Sequence, residues 1–533
     1  MNMKGNISRL LLFVAVCFLT VNSVAAQTAS ELPPDGKYQI QSVVFNSQGI
    51  TRPEMIQRKI LPIEYNTVFE SKQAFDEYVA SVKQQIENLR LLENISYIYY
   101  VAELSPDQIY HMTVDFTFSD SKSRILIPYP SADSNEGIKF SVVFTDSNFL
   151  GLTNPFFLVT SVQFGTEKDP DDYSDITPAV TVGYNYPFSI GKTKNSWLNS
   201  IDFAWTIGDS SPKFNLNTGV DVGIPLGENF FHIAFLQSAV MDPKFEKYDD
   251  KLYFKEFGKL SLPLTVGEVS NSPVIYTPFV SAAYNWDKNG INKANYKLHP
   301  SPALTAGQTI TLNHINWSGN FREGYFFTTT QSITRDFSKS SMSKMFSPLI
   351  SANGSIYKGF GMVGLEANAS FFATLNAVRN IGFQIRGVLD LQTFAPPFFV
   401  NDDNYALETD SAIVFNVELP IHIITTNWRK WFHAEDSDSK MATMMEMLDF
   451  ELQLSPFFDM GLIKNKVSGN AFKPKEGLYG AGIEAIVYPA KWRSYVVRVS
   501  LGFDIGKKFL NTDTSWRRPK KSYELFVGLG HMF

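Results

Sequence analysis

Leu448–Leu462 reads LDFELQLSPFFDMGL, and its alternation decides the fold. Leu448, Phe450, Leu452, Leu454, Phe458, Met460 and Leu462 fall in one phase; Asp449, Glu451, Gln453, Ser455, Phe457, Asp459 and Gly461 fall in the other. A pleated strand turns successive side chains to opposite faces, so every charge of this stretch lies on one face and the large apolar groups cover the other. The pattern recurs on both sides. Ile413, Phe415, Val417, Leu419 and Ile421 alternate with Asn416, Glu418 and His422, and Tyr495, Val497, Val499, Leu501, Phe503 and Ile505 with Val496, Arg498, Ser500, Gly502 and Asp504. The last residues, Ser522–Phe533 (SYELFVGLGHMF), place Tyr523 and Phe533 at the two ends of an apolar phase and Gly528 and Gly530 in the opposite one.

A soluble sandwich also alternates, with its apolar face inward. The amino terminus argues for another solvent. Lys4 and Arg9 precede an apolar run, Leu10–Val21, that is too short to span a bilayer, and NSVAAQ offers small residues for cleavage near Ala26. Residues 1–26 are therefore expected to be a secretory signal peptide. The chain's one cysteine, Cys17, lies inside that segment, so the mature chain is expected to use neither disulfides nor thiol chemistry. Without Lys4 and Arg9, 45 basic residues stand against 53 acidic ones, a net charge of −8, and nucleic acid is an improbable partner. Mean hydropathy is near neutral at −0.10, yet aromatics reach 14%. No stretch beyond the signal offers the ~18 consecutive apolar residues of a membrane helix. A strand protein with one lipid-facing side has this composition, because apolar and polar residues alternate and aromatic girdles line both interfaces.

Two regions differ in period. Residues 37–120 are mixed: YQIQSVVF is a strand, a helix is expected from Thr51, where Thr51 and Glu54 have capping-box spacing and Pro53 is tolerated, and Phe75, Val79, Val82, Ile86 and Leu89 mark one face of a second helix. NISYIYYV and IYHMTVDFTF supply two more strands, giving the order β-α-α-β-β. Residues 121–137, with two prolines, four serines and an aspartate, have the composition of a linker. From 138 to 533 strand candidates recur roughly every 25 residues, which suits ~10-residue strands joined by alternating short and long connections. Among them are IKFSVVFTD, PFFLVTSVQFG, AVTVGYNYPF, FFHIAFLQSAV, GQTITLNHINW and VGLEANASFFATL. The expectation is a mainly β chain: a transmembrane antiparallel barrel of about 16 strands behind a small α/β domain.

Three motifs sharpen this. QIRGVLD carries Arg386 and Gly387 ahead of the strand holding Glu418; PFFDMG places Phe457, Asp459 and Gly461 together on the polar phase as F-x-D-x-G; DSNFLGL follows the first strand of the 138–533 region. Together they resemble the barrel domain of the outer-membrane assembly and secretion superfamily, the bacterial surface antigen type, which includes the Bam-type assembly factor, the Tam-type subunit and the two-partner-secretion transporters. The 37–120 order resembles the POTRA module that such barrels carry on their periplasmic side. The resemblance implies an outer-membrane protein of a Gram-negative, diderm bacterium with its amino-terminal domain in the periplasm. It also implies a surface loop folded into the lumen, its Arg386–Gly387 tip locked to Asp459, and assistance in inserting or translocating polypeptides. The aromatic expected after Arg-Gly is Val388 here. Independently, a guanidinium cannot shed its charge, so inside a narrow barrel it needs a carboxylate. Glu418 is expected to face the same polar interior.

Tyr523, Gly528, Gly530 and Phe533 are expected to form the carboxy-terminal barrel signal and a weak closing seam against the strand near Ile138, because glycine strands pair poorly. An unpaired sheet edge in residues 37–120 could take up an unfolded client as an added strand. The expected partners are lipid, such clients, and accessory periplasmic or lipoprotein subunits. No enzyme motif, metal spacing or nucleotide loop is present, so neither a cofactor nor a metal is expected. A passive channel or solute transporter with a periplasmic anchoring domain is the competing expectation.

Overall fold

A computed structural model of the chain describes residues 32–529 apart from 134–136, 166–174, 242–251, 293–300, 378, 382–384, 389–407, 435–438, 466–467 and 514–522. The expected signal peptide, Gly530 and Phe533 lie outside the described residues. The chain divides into two compact units, the first running to Ser121 and including Leu150–Thr153, the second holding the rest from Lys122.

In the first unit, β1 (Lys37–Gln48), α1 (Pro53–Lys59), β2 (Val68–Phe69), α2 (Lys72–Asn88), β3 (Leu92–Leu104) and β4 (Ile109–Asp120) follow in that order. The sheet order is β2-β1-β4-β3, with β1 and β4 parallel and the other pairs antiparallel. Phe75, Val79, Val82 and Ile86 of α2 are buried against Tyr38 and Ile40 of β1 and against Met112, Val114, Phe116 and Phe118 of β4. The 3.6-residue stripe of the helix thus meets one pleat face of the sheet. Ser71 caps α2, its Oγ accepting the Ala74 N–H at 3.2 Å. Helix α1 corrects an expectation: it starts at Pro53, and its N-cap, Arg52, has no side-chain cap. Thr51 is drawn away from Glu54 because its Oγ1 donates to Asp120 Oδ1 at 2.5 Å, while Asp120 Oδ2 accepts the N–H groups of Ile50 and Thr51. Three donors converging on one carboxylate outweigh a single neutral cap.

The second unit is a closed antiparallel sheet. The strands needed here are β5 (Arg124–Asp133), β6 (Gly137–Asp146), β7 (Val363–Thr374), β8 (Ser411–Glu418, continued past Pro420 by Ile421–Thr425), β9 (Phe450–Ile463), β10 (Leu478–Pro489), β11 (Val497–Asp504) and β12 (Tyr523–Leu529). Two short helices, α3 (Trp428–Trp431) and α4 (Lys440–Met447), stand between β8 and β9. Among the described residues the closed sheet takes twenty-one strands, and three of these continue a neighbour's line across a break. That leaves eighteen positions around the sheet rather than about 16. One of the added strands is β5, where composition suggests only a linker: it pairs with β6 from Arg124↔Asp146 to Asp133↔Gly137.

The two phases separate as the alternation requires. In β11, Arg498, Ser500, Gly502 and Asp504 are buried while Val499, Leu501 and Phe503 are exposed; in β8, Ala412, Val414, Asn416 and Glu418 are buried while Ile413 and Phe415 are exposed. Buried charges alternate with exposed hydrocarbon along the same strands, the reverse of a water-soluble sandwich.

Candidate functional site: an arginine held in the barrel lumen

Arg386 lies on the segment between β7 and β8, whose described tip is Ile385–Val388. Its side chain is buried and aimed at the wall. Nε donates to Asp459 Oδ2 and Nη2 to Asp459 Oδ1, both at 2.8 Å, and the Arg386 backbone N–H donates to Oδ2 at 2.9 Å. Asn416 Nδ2 donates a fourth hydrogen bond to Asp459, at 2.9 Å. This planar, two-point grip is the geometry that suits a guanidinium and a carboxylate.

Arg386 is not served by Asp459 alone. Its Nη1 donates to Glu418 Oε1 at 2.5 Å and to Glu484 Oε2 at 3.4 Å. A second guanidinium completes the cluster: Arg498 donates from Nε to Glu484 Oε1 at 2.8 Å and from Nη2 to Glu484 Oε2 and Glu418 Oε2. Two cations and three carboxylates, all buried, therefore share seven side-chain hydrogen bonds across β8, β9, β10 and β11. Burying such charges costs several kcal/mol per ion unless each finds partners, and here each does. Phe457 contributes in another way, its ring centroid lying 3.7 Å from Arg386 Cζ, a cation–π contact made from the wall. Val388 instead packs with Ile381, Ile385, Phe372, Val414, Ile463 and Leu478.

The tip approaches the wall through missing side chains. Gly387 has φ +83°, a left-handed conformation that glycine adopts freely. A Cβ on Gly480 of β10 would stand 1.8 Å from the Arg386 carbonyl oxygen, and one on Gly502 of β11 would stand 2.8 Å from Gly387 N. At Gly461 the neighbour is the Ile385 Cδ1, 3.0 Å from a built Cβ. The Gly387 N–H donates to Glu524 Oε2 at 2.7 Å, and Glu524 belongs to β12. One turn of backbone thereby joins the lumen segment to the last strand of the barrel.

Sequence reasoning singled out Arg386, Gly387, Phe457, Asp459, Gly461 and Glu418, and these six residues stand together. It missed Glu484, Glu524, Gly480 and Gly502 and gave Arg498 no role. All five sit on the polar phase of their strands, which was the available signal. Tyr523 is exposed on the outward face and Gly528 is buried opposite Arg498.

The closing seam differs from the expectation. β12 adjoins β5, not the strand of Ile138. Pro128 and Pro130 stand two apart in β5, so their missing N–H groups lie along one edge. The ladder to β6 passes both prolines without a shift in register, which places the missing donors on the edge toward β12. Among the described residues no group of three or more His, Cys, Asp or Glu could hold a metal ion.

No family model matches the chain, and no curated protein does. Among solved structures, the chain is similar to BamA from Haemophilus ducreyi lacking POTRA domains 1–3, at 12% identity and TM-score 0.36 over 92% of this chain and 85% of that one. It is also similar to CdiB from Acinetobacter baumannii, at 12% identity and TM-score 0.41 over 93% and 73%, and to CdiB from Escherichia coli, at 11% and 0.45 over 93% and 77%. The closed barrel itself rests on the strand ladder described above.

Proposed function

We propose that the chain is an outer-membrane barrel that assists the insertion of outer-membrane proteins or the translocation of polypeptides, with its first unit in the periplasm. The observation that carries this reading is the seam. β5 lacks two backbone donors, at Pro128 and Pro130, on its one edge toward β12, whereas no other described strand of the barrel has two prolines at the even spacing that puts both on one edge. A strand pair short of hydrogen bonds opens at lower cost than its neighbours, and an opened edge accepts an incoming strand.

The lumen tip stands where it can govern that seam. Glu524 ties Gly387 to β12, and the Arg386 cluster ties the same tip to β8, β9, β10 and β11. While the tip is seated, β12 is held on the barrel side; a polypeptide that displaces the tip frees it. In the first unit β3 has a partner on one side only among the described residues, and its outer edge suits recruitment of an extended client. No chemical step is required, since strand pairing and partition into lipid supply the driving free energy.

The test is depletion of the protein followed by a quantitative census of outer-membrane and secreted polypeptides. Selective loss of one or a few polypeptides from either fraction is expected. Altered uptake of small solutes with an unchanged census would instead identify a passive channel.

A further inference from the structure

The connections at the end of the barrel where β5 begins are short, with one exception. Five of them are two-residue turns, at Gly191–Lys192, Gly227–Glu228, Ser270–Asn271, Gly319–Asn320 and Gly361–Met362. The connection from β8 to β9 instead runs from Thr426 to Asp449 and holds α3 and α4. Its outward surface is apolar: Trp431 is 45% exposed, Phe432 61%, Met441 62%, Met444 57% and Leu448 57%.

Residues three, four and seven apart share a helix face, so Met441, Met444 and Leu448 form one stripe on α4. Leu448 also begins the outward phase of β9 that continues through Phe450 and Leu452, which makes the stripe an extension of the surface read as lipid-facing. Trp428 packs edge-on against Trp431 at 5.0 Å and donates from Nε1 to the Leu448 carbonyl at 3.0 Å, fastening α3 beside the stripe. The opposite side is polar and tied down. Glu446 accepts Arg429 at 3.2 Å and Lys491 at 2.6 Å, and Ala442 is buried. Tryptophan beside basic residues, above an apolar stripe continuous with a lipid face, is the composition of a helix lying in a bilayer interface.

We propose that α3 and α4 form a foot seated in the headgroup region of the adjoining leaflet, with Met441, Met444 and Leu448 turned into the acyl chains. The occupant is a phospholipid surface, and the inference rests on the outer-membrane reading above. The foot fixes the height of β8 and β9, the strands that carry Glu418 and Asp459.

The test uses the mature chain in phosphatidylethanolamine/phosphatidylglycerol vesicles, with single cysteines labelled by an environment-sensitive fluorophore. Met444→Cys and Met441→Cys sit on the stripe, Thr443→Cys on the opposite side, and Phe415→Cys on the outward face of β8. A nitroxide high on the lipid chain should quench the Met444 and Met441 labels about twofold more than a deep one, as for a helix only ~5–10 Å into the interface. Aqueous iodide should reach the Thr443 label alone, and the deep nitroxide should quench the Phe415 label. Iodide access at Met444 and Met441 with Phe415 still quenched by lipid overturns the foot and leaves the barrel standing. Shielding of those two labels only when an unfolded polypeptide is added also overturns it, in favour of a client surface. Failure of lipid to quench Phe415 overturns both readings.

Discussion

Asp459→Asn should release the lumen tip without unfolding the barrel. In the native cluster Asp459 accepts three hydrogen bonds from Arg386 and one from Asn416. Asparagine preserves the shape but presents one carbonyl oxygen and one NH₂, so at least one Arg386 donor faces another donor and the carboxylate charge is lost. Removing one partner of a buried ion pair costs about 3–5 kcal/mol. Arg386 keeps Glu418 and Glu484, though Arg498 already claims both, so the lower end of that range applies. At 1.4 kcal/mol per decade, ~3 kcal/mol raises the population of the unseated tip roughly 100-fold. Hydrogen exchange of the reconstituted protein, read by mass spectrometry on peptides containing Ile385–Val388, measures that population directly. The expected outcome is about 100-fold faster exchange at these amides, with the β9 and β10 ladders unchanged. Acceleration below about threefold, equivalent to less than 1 kcal/mol, would refute the claim that this cluster holds the tip.

Gly480→Ala should act on the same seat sterically, because its Cβ would stand 1.8 Å from the Arg386 carbonyl oxygen; single-channel recording should show a larger or noisier conductance while heat-induced unfolding of the barrel is nearly unchanged. Phe75→Ala removes a fully buried ring from α2 and should cost the first unit about 3–5 kcal/mol, read as a lower urea midpoint for that unit with the barrel transition in place. Lys72 hydrogen-bonds Asp76 at 2.6 Å and Tyr99 at 2.9 Å, and these bonds hold its ammonium above the ordinary value of 10.5. A pKa raised on folding gives a contribution that is whole below the unfolded value and wanes as pH rises past it. Lys72→Met should therefore cost a constant amount, about 0.5 kcal/mol, between pH 6 and 9, and the difference from the parent should shrink only in strongly alkaline solution.

What could be read in the sequence follows from where the information is local. The alternation reported burial correctly over Ile413–Glu418 of β8, Gln453–Leu462 of β9 and Arg498–Asp504 of β11, because a pleat assigns each side chain its face whatever the strand's neighbours are, and it fails at His422, where the β8–β9 ladder has a bulge. The Phe75, Val79, Val82 and Ile86 stripe did the same for α2. The start of α1 could not be read, since Thr51 answers to Asp120, sixty-nine residues away. Nor could β5: Pro128 and Pro130 signal a linker by composition, and only the ladder to β6 shows that this stretch is a strand and which of its edges lacks both donors. The lumen cluster was half legible. Arg386 and Asp459 could be paired on charge alone, but Glu484, Arg498 and Glu524 reach the tip through the way a segment crosses the barrel, which no period in the chain records.

The central claim is that polypeptides pass at the β5–β12 seam. Cys17 is the only cysteine in the chain, so a cysteine pair placed across that seam in the mature protein can be closed by oxidation and reopened by reductant without side reactions. The decisive measurement is the rate at which a urea-unfolded barrel protein folds into vesicles carrying this chain. The expected result is folding faster than into empty vesicles, abolished by oxidation of the pair and restored on reduction. A rate equal to that of empty vesicles, or one indifferent to the state of the cysteine pair, would contradict it.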